Sequence, residues 1–130
     1  MRVEVNGIRL FVDIDGAEYV PDGPEMKRRP TLILLHGGPG LDHSSFKNEL
    51  GLLRDEMQIV YVDHRGNGRS DRAAPETWNL EQWADDLHAL CEVLGLERPI
   101  VMGQSFGGFV AQMYAARHPE QPGALIFSST

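Results

Sequence analysis

The chain has 130 residues, 42% of them hydrophobic and 24% charged, with a net charge of −7. This is an ordinary globular mix, and the acidic balance argues against nucleic acid or an anionic membrane as partner. The single cysteine, Cys91, rules out an intrachain disulfide; no apolar h-region lies in Met1–Gly7 and no run nears the ~20 apolar residues of a span, so a cytoplasmic location is expected.

The chain opens with two alternating segments, Arg2–Val5 and Ile8–Asp13, joined by Asn6-Gly7. Asn-Gly is a strong hairpin signal because both turn positions need positive φ. From Asp15 to Pro30 the recurring Gly and Pro predict mainly loop. Thr31–Leu35 is a continuous apolar run, suited to a strand covered on both faces of a parallel sheet. Phe46, Leu50 and Leu53 recur at helical spacing and predict a short helix, and Gln58–Val62 predicts another buried strand.

The clearest helix runs from Leu80 to Leu94. Leu80, Trp83, Ala84, Leu87, Cys91 and Leu94 fall on one face; Glu81, Gln82, Asp85, Asp86 and Glu92 fall on the other. Asn79 is placed to cap its start and Gly95 to end it. A strand at Ile100–Met102, a helix at Phe106–Arg117 stopped by Pro119, and a strand at Ala124–Ser128 follow. Strands alternating with helices after residue 30 predict an α/β fold, a mostly parallel sheet preceded by an antiparallel hairpin.

Three segments would then stand at the carboxyl ends of buried strands, the edge where open α/β sheets bind ligands. They are His36-Gly37-Gly38-Pro39-Gly40, Asp63-His64-Arg65-Gly66-Asn67-Gly68-Arg69-Ser70, and Gly103-Gln104-Ser105-Phe106-Gly107. The last is a Gly-x-Ser-x-Gly turn between a strand and a helix, which lifts a serine hydroxyl to the edge of the sheet. Cys91 lies on an apolar helix face and is expected in the core, and His88 on the polar face is expected in solvent. His118, the one histidine after Ser105, lies at the far end of the helix that Ser105 opens. At ~1.5 Å per residue that is roughly 20 Å away, too far for a general base. No Cys/His/Asp cluster has metal spacing and no glycine loop matches a phosphate cradle, so neither metal nor cofactor is expected.

With these motifs in this order the chain resembles the α/β-hydrolase superfamily, and most of all its proline iminopeptidase branch and their esterase relatives. The resemblance implies that residues 1–130 form the N-terminal part of one such domain, with the lid and the C-terminal strands absent. It implies that Ser105 is the nucleophile of acyl transfer to an ester or a short peptide. It places the two oxyanion N–H donors on Gly38 and Phe106. It makes His36 an organiser of its loop, His64 a structural residue, and Asp63, Arg65 and Ser70 braces of theirs; His43 is expected on the substrate side or in solvent. In this fold the acid and the histidine follow the serine, yet after Ser105 the chain holds no Asp, and only Glu120 and His118. The resemblance therefore puts them in a C-terminal half, in the same protein or a separate chain, and leaves these residues alone inactive. Phe106 stands where the branch commonly has Trp, and His64 where it commonly has Gln, which leaves room for a carboxylesterase or lactonase. The alternative of another class is a non-catalytic fragment or subunit that binds a partner.

Overall fold

The computed structural model describes residues 1–130. Its first hairpin pairs β1 (Arg2–Val5) with β2 (Ile8–Asp15) in antiparallel register, Val5 opposite Ile8. β2 then pairs antiparallel with β6 (Gln58–Val62). From there the sheet is parallel: β6 beside β5 (Thr31–Leu35), β5 beside β7 (Ile100–Gln104), β7 beside β8 (Ala124–Ser128). The spatial order is β1-β2-β6-β5-β7-β8. The two strands with all-apolar inner runs, β5 and β6, sit in the middle because their residues need cover on both faces.

Side chains alternate across those strands. Ile33, Leu35, Val60, Val62 and Val101 point into a 20-residue cluster beneath α2 (Leu80–Leu94) and α3 (Phe106–Arg117). Leu32, Leu34, Ile59 and Tyr61 point the other way, into a five-residue cluster closed by Phe46. Leu90, Val101 and Val110 are fully buried, and each such side chain contributes about 1.5–3 kcal/mol relative to exposure. Asn79 Oδ1 accepts the N–H of Gln82 at 2.8 Å, and α2 ends at Gly95 in the left-handed region, as its sequence predicts.

Three local features differ from expectation. The stretch from Asp15 to Pro30, expected as loop, contains a two-stranded sheet of its own, β3 (Tyr19–Asp22) with β4 (Glu25–Arg28). Its residues are mostly exposed, so the sequence carries no apolar alternation to mark it. The short helix is a single turn, α1 (Lys47–Leu50), flanked by 3₁₀ turns at His43–Phe46 and Gly51–Asp55. And α2 is not exposed along its whole polar face: Asp86, which helical spacing puts there, is only 2% exposed. No helix is long and apolar enough to cross a membrane.

Candidate active site

β7 runs through Gln104 directly into Ser105, and α3 begins on the next residue. Ser105 has φ 51° and ψ −117°, a conformation non-glycine residues rarely adopt. Neighbours hold it there. Ser105 N–H donates to the Ser128 carbonyl of β8 at 2.9 Å, and Thr130 Oγ–H donates to the Ser105 carbonyl at 2.7 Å. The flanking glycines are required by contact: a Cβ at Gly103 would strike the Gly107 carbonyl, and one at Gly107 would strike the Leu35 carbonyl of β5. Ser105 is exposed, and its side chain makes no capping hydrogen bond to α3. The free N–H groups of the first turn of a 12-residue helix lie beside it.

The residue after the serine is fixed by packing. The Phe106 ring is 8% exposed and meets Trp83 of α2 edge to face, 4.9 Å between centroids. His64 packs against the same ring at 5.6 Å. The backbone N–H of Phe106, at the start of α3, is thereby held beside Ser105.

The loop after β5 passes over the turn. A Cβ on Gly37 would lie 3.5 Å from both the Ser105 Cβ and the Gln104 carbonyl. Gly38 follows with φ 121°, and a Cβ there would come within 2.8 Å of Gly40 N and 3.0 Å of Leu41 N. No acceptor within the chain takes the Gly38 N–H. The structure thus gathers Ser105, Gly38 and Phe106 at one edge of the sheet.

Histidines brace this edge. His36 is fully buried; its Nδ1–H donates to the Gly37 carbonyl at 2.6 Å and its Nε2 accepts from the His64 backbone N–H at 3.1 Å. Both ring nitrogens are occupied, so His36 is an organiser of the loop. Burial holds its pKa below the ordinary imidazole value and pushes that of His64 down to about 3. His43, expected near substrate or in solvent, is instead 8% exposed, its Nδ1–H donating to Asp63 Oδ1 at 2.8 Å. The same carboxylate oxygen accepts the His43 backbone N–H, and Oδ2 accepts that of Arg69, both at 2.9 Å. Ser70 Oγ–H donates to the Asp63 carbonyl at 2.6 Å and accepts from Phe11 N–H at 2.8 Å.

Arg65 turns away from the edge and into α2. Its Nε and Nη2 donate to the two oxygens of Asp86 at 2.7 and 3.0 Å. Asp86 Oδ1 also accepts from Asn6 Nδ2 and Gln82 Nε2, at 3.0 and 2.9 Å. Helical patterning put Asp86 on the wet face because it registers polarity alone; the one available signal was an Arg in the facing motif in need of an acid.

The remaining candidates lie apart from Ser105. His118 caps the opposite end of α3, its Nε2–H donating to Asp85 Oδ1 at 2.8 Å. His88 is not freely solvated: its ring stacks on His118, 3.9 Å between centroids. Cys91 is fully buried in the core, and burial pushes its thiol up to about 12.

The alpha/beta hydrolase fold profile matches residues 30–130, which include all three loops of this edge. The chain belongs to the alpha/beta hydrolase fold family. The chain is 39% identical, over 125 residues, to the proline iminopeptidase PfmaB of Pestalotiopsis fici; the match covers 92% of this chain and 43% of that protein. The crystal structure of a proline iminopeptidase-related protein from Thermus thermophilus superposes with a TM-score of 0.83 at 29% identity, over 98% of this chain and 42% of that one. A thermophilic esterase from Thermogutta terrifontis gives a TM-score of 0.79 at 31% identity, over 98% and 44%. The chain thus spans about two fifths of the length of these relatives.

Proposed function

We propose that Ser105 is the nucleophile of a serine hydrolase that cleaves ester or amide bonds through an acyl-enzyme, in the manner of a proline iminopeptidase. The observation that carries this reading is the Ser105 backbone itself: an exposed serine held at φ 51° between a buried strand and a helix N-terminus. Such strain persists where surroundings enforce it and serves to present a side chain. In the reaction, Ser105 Oγ attacks the carbonyl carbon as its proton passes to a base. The developing oxyanion takes hydrogen bonds from Gly38 and Phe106 N–H. The leaving group departs protonated, and water then releases the acyl group from Ser105.

The histidines at this edge support a base from outside residues 1–130, since His36 and His43 already use ring nitrogens to hold loops. An acid and a histidine in a C-terminal half, from the same protein or a second chain, complete the set. The substrates are a small ester or a short peptide. An esterase reading of the same site draws on Phe106 in place of the branch's usual tryptophan and on the Thermogutta terrifontis likeness.

The test is covalent labelling of the full-length protein with a fluorophosphonate, followed by peptide mapping. Label on the peptide that contains Ser105, lost in Ser105→Ala without loss of fold, is the expected result. Label elsewhere, or full activity in Ser105→Ala, refutes it. Turnover of a prolyl amide against a simple nitrophenyl ester then separates peptidase from esterase.

A further inference from the structure

The loop that carries Gly38 has little backbone support. Of the main-chain N–H groups from Gly37 to Asp42, only that of Gly40 finds an acceptor within the chain, and the acceptor is Oδ1 of Asn67. Asn67 sits in the loop after β6, outside the loop that bears Gly38 and outside the turn that bears Ser105. It is 4% exposed and fully engaged. Its Nδ2–H donates to the Arg65 carbonyl at 2.9 Å, its backbone N–H donates to the His64 carbonyl at 2.9 Å, and its carbonyl accepts from Ser70 N–H at 3.0 Å. The Arg65 carbonyl is in turn fixed by Trp83 Nε1–H at 2.9 Å.

Gly38 therefore lies between two tethers. On one side His36 Nδ1–H holds the Gly37 carbonyl; on the other the Asn67 amide holds Gly40 N–H. Gly38, Pro39 and Gly40 are exposed between them. A loop with one fixed end swings, and an N–H that must meet an oxyanion within a few tenths of an ångström tolerates no swing.

We propose that Asn67 is a positioning residue: its side-chain carbonyl, by holding Gly40 N–H, sets the direction of the Gly38 N–H over Ser105. The proposal rests on the assignment of Ser105 and Gly38 above. Asn67 touches no substrate; it acts through the loop.

The experiment uses Asn67→Ala, and Asn67→Gln as the conservative variant that keeps both an acceptor oxygen for Gly40 and an amide N–H for the Arg65 carbonyl. Two readouts are taken on the full-length protein: hydrogen exchange of the Gly40 amide by NMR, and the rate of fluorophosphonate labelling at Ser105. In Asn67→Ala, Gly40 should lose its protection and labelling should slow by about 10- to 100-fold, the usual loss for a misplaced catalytic group. Asn67→Gln should restore both toward wild type. If Asn67→Ala does not fold, Asn67→Ser, whose oxygen is one bond shorter, replaces it with the same expectations. Unchanged Gly40 exchange overturns the tether. Lost protection with unchanged labelling overturns the positioning role, as does a Gln variant that restores Gly40 protection yet labels as slowly as the Ala variant. Wild type that keeps Gly40 protected yet takes no label at Ser105 refutes the serine assignment, and the positioning role with it, while leaving the tether in place.

Discussion

The backbone N–H of His64 donates to Nε2 of His36 across 3.1 Å, and the two rings pack 4.3 Å apart between centroids. The bond fixes His36 as the Nδ1–H tautomer, because only a bare Nε2 can accept it. A proton added to His36 would break this contact, and a proton added to His64 would bury a charge beside it.

Stability should therefore fall with acid. The folded pKa of His64 is pushed down to about 3, and that of His36 is lowered in the same direction. The unfolded chain takes up these protons near pH ~6.5, so between that pH and about 3 it binds more protons than the fold does. Unfolding free energy then declines as pH falls, by up to ~1.4 kcal/mol per unit from His64 alone. Urea unfolding at pH 7.5, 6, 5 and 4 should give this slope in wild type and a shallower one in His64→Gln. Equal slopes would show that His64 accepts a proton in the folded state.

Gly38→Val should damage turnover more than fold. The valine Cβ would crowd Gly40 N and Leu41 N, and the residue would be strained at φ 121°. Since this loop is exposed, the strain is relieved by displacing the loop, which carries its N–H away from the oxyanion. Loss of one donor costs on the order of 3 kcal/mol in the transition state, about 100-fold in turnover. Steady-state kinetics and a thermal melt on the same preparation measure both; wild-type turnover would place the donor elsewhere.

The Arg65–Asp86 pair should show the asymmetry of buried ions. Its side chains are 4% and 3% exposed. Asp86→Leu leaves a guanidinium without its partner and should cost about 3–5 kcal/mol, whereas Arg65→Met with Asp86→Leu together should cost much less. Chemical denaturation of both single variants and the double variant closes the cycle. Additive losses would mean the two residues do not act as a pair.

Residues 1–130 produced alone should associate and should not hydrolyse esters. β8 is the last strand in the sheet, and Ile126 and Phe127 are each 46% exposed on it. An unpaired apolar edge recruits another strand. Light scattering should report species larger than a monomer, and a nitrophenyl ester should survive. A stable monomer that cleaves the ester through Ser105 would reveal a base among these residues.

Much of this was legible in the sequence because the signals were strong and local. The apolar runs at Thr31–Leu35 and Gln58–Val62, the capped periodicity of Leu80–Leu94 and the glycines around Ser105 each encode a single local conformation. The exposed β3–β4 hairpin was not legible, since its strands bury little and so carry no pattern. Nor were Asp86, His43 and Asn67. Their roles arise from partners 21, 20 and 27 residues away, and a spacing in the sequence says nothing about which loops the sheet will bring together.

The carbonyl of Ser105 is held by a hydroxyl from 25 residues further along the chain, and its N–H by the last residue of β8. Neither partner belongs to the Gly-x-Ser-x-Gly turn or to the helix that follows it. The backbone that presents this serine is thus pinned by a neighbouring strand and the residues just past its end, so a change at the far edge of the sheet would be felt at Ser105 without touching the motif.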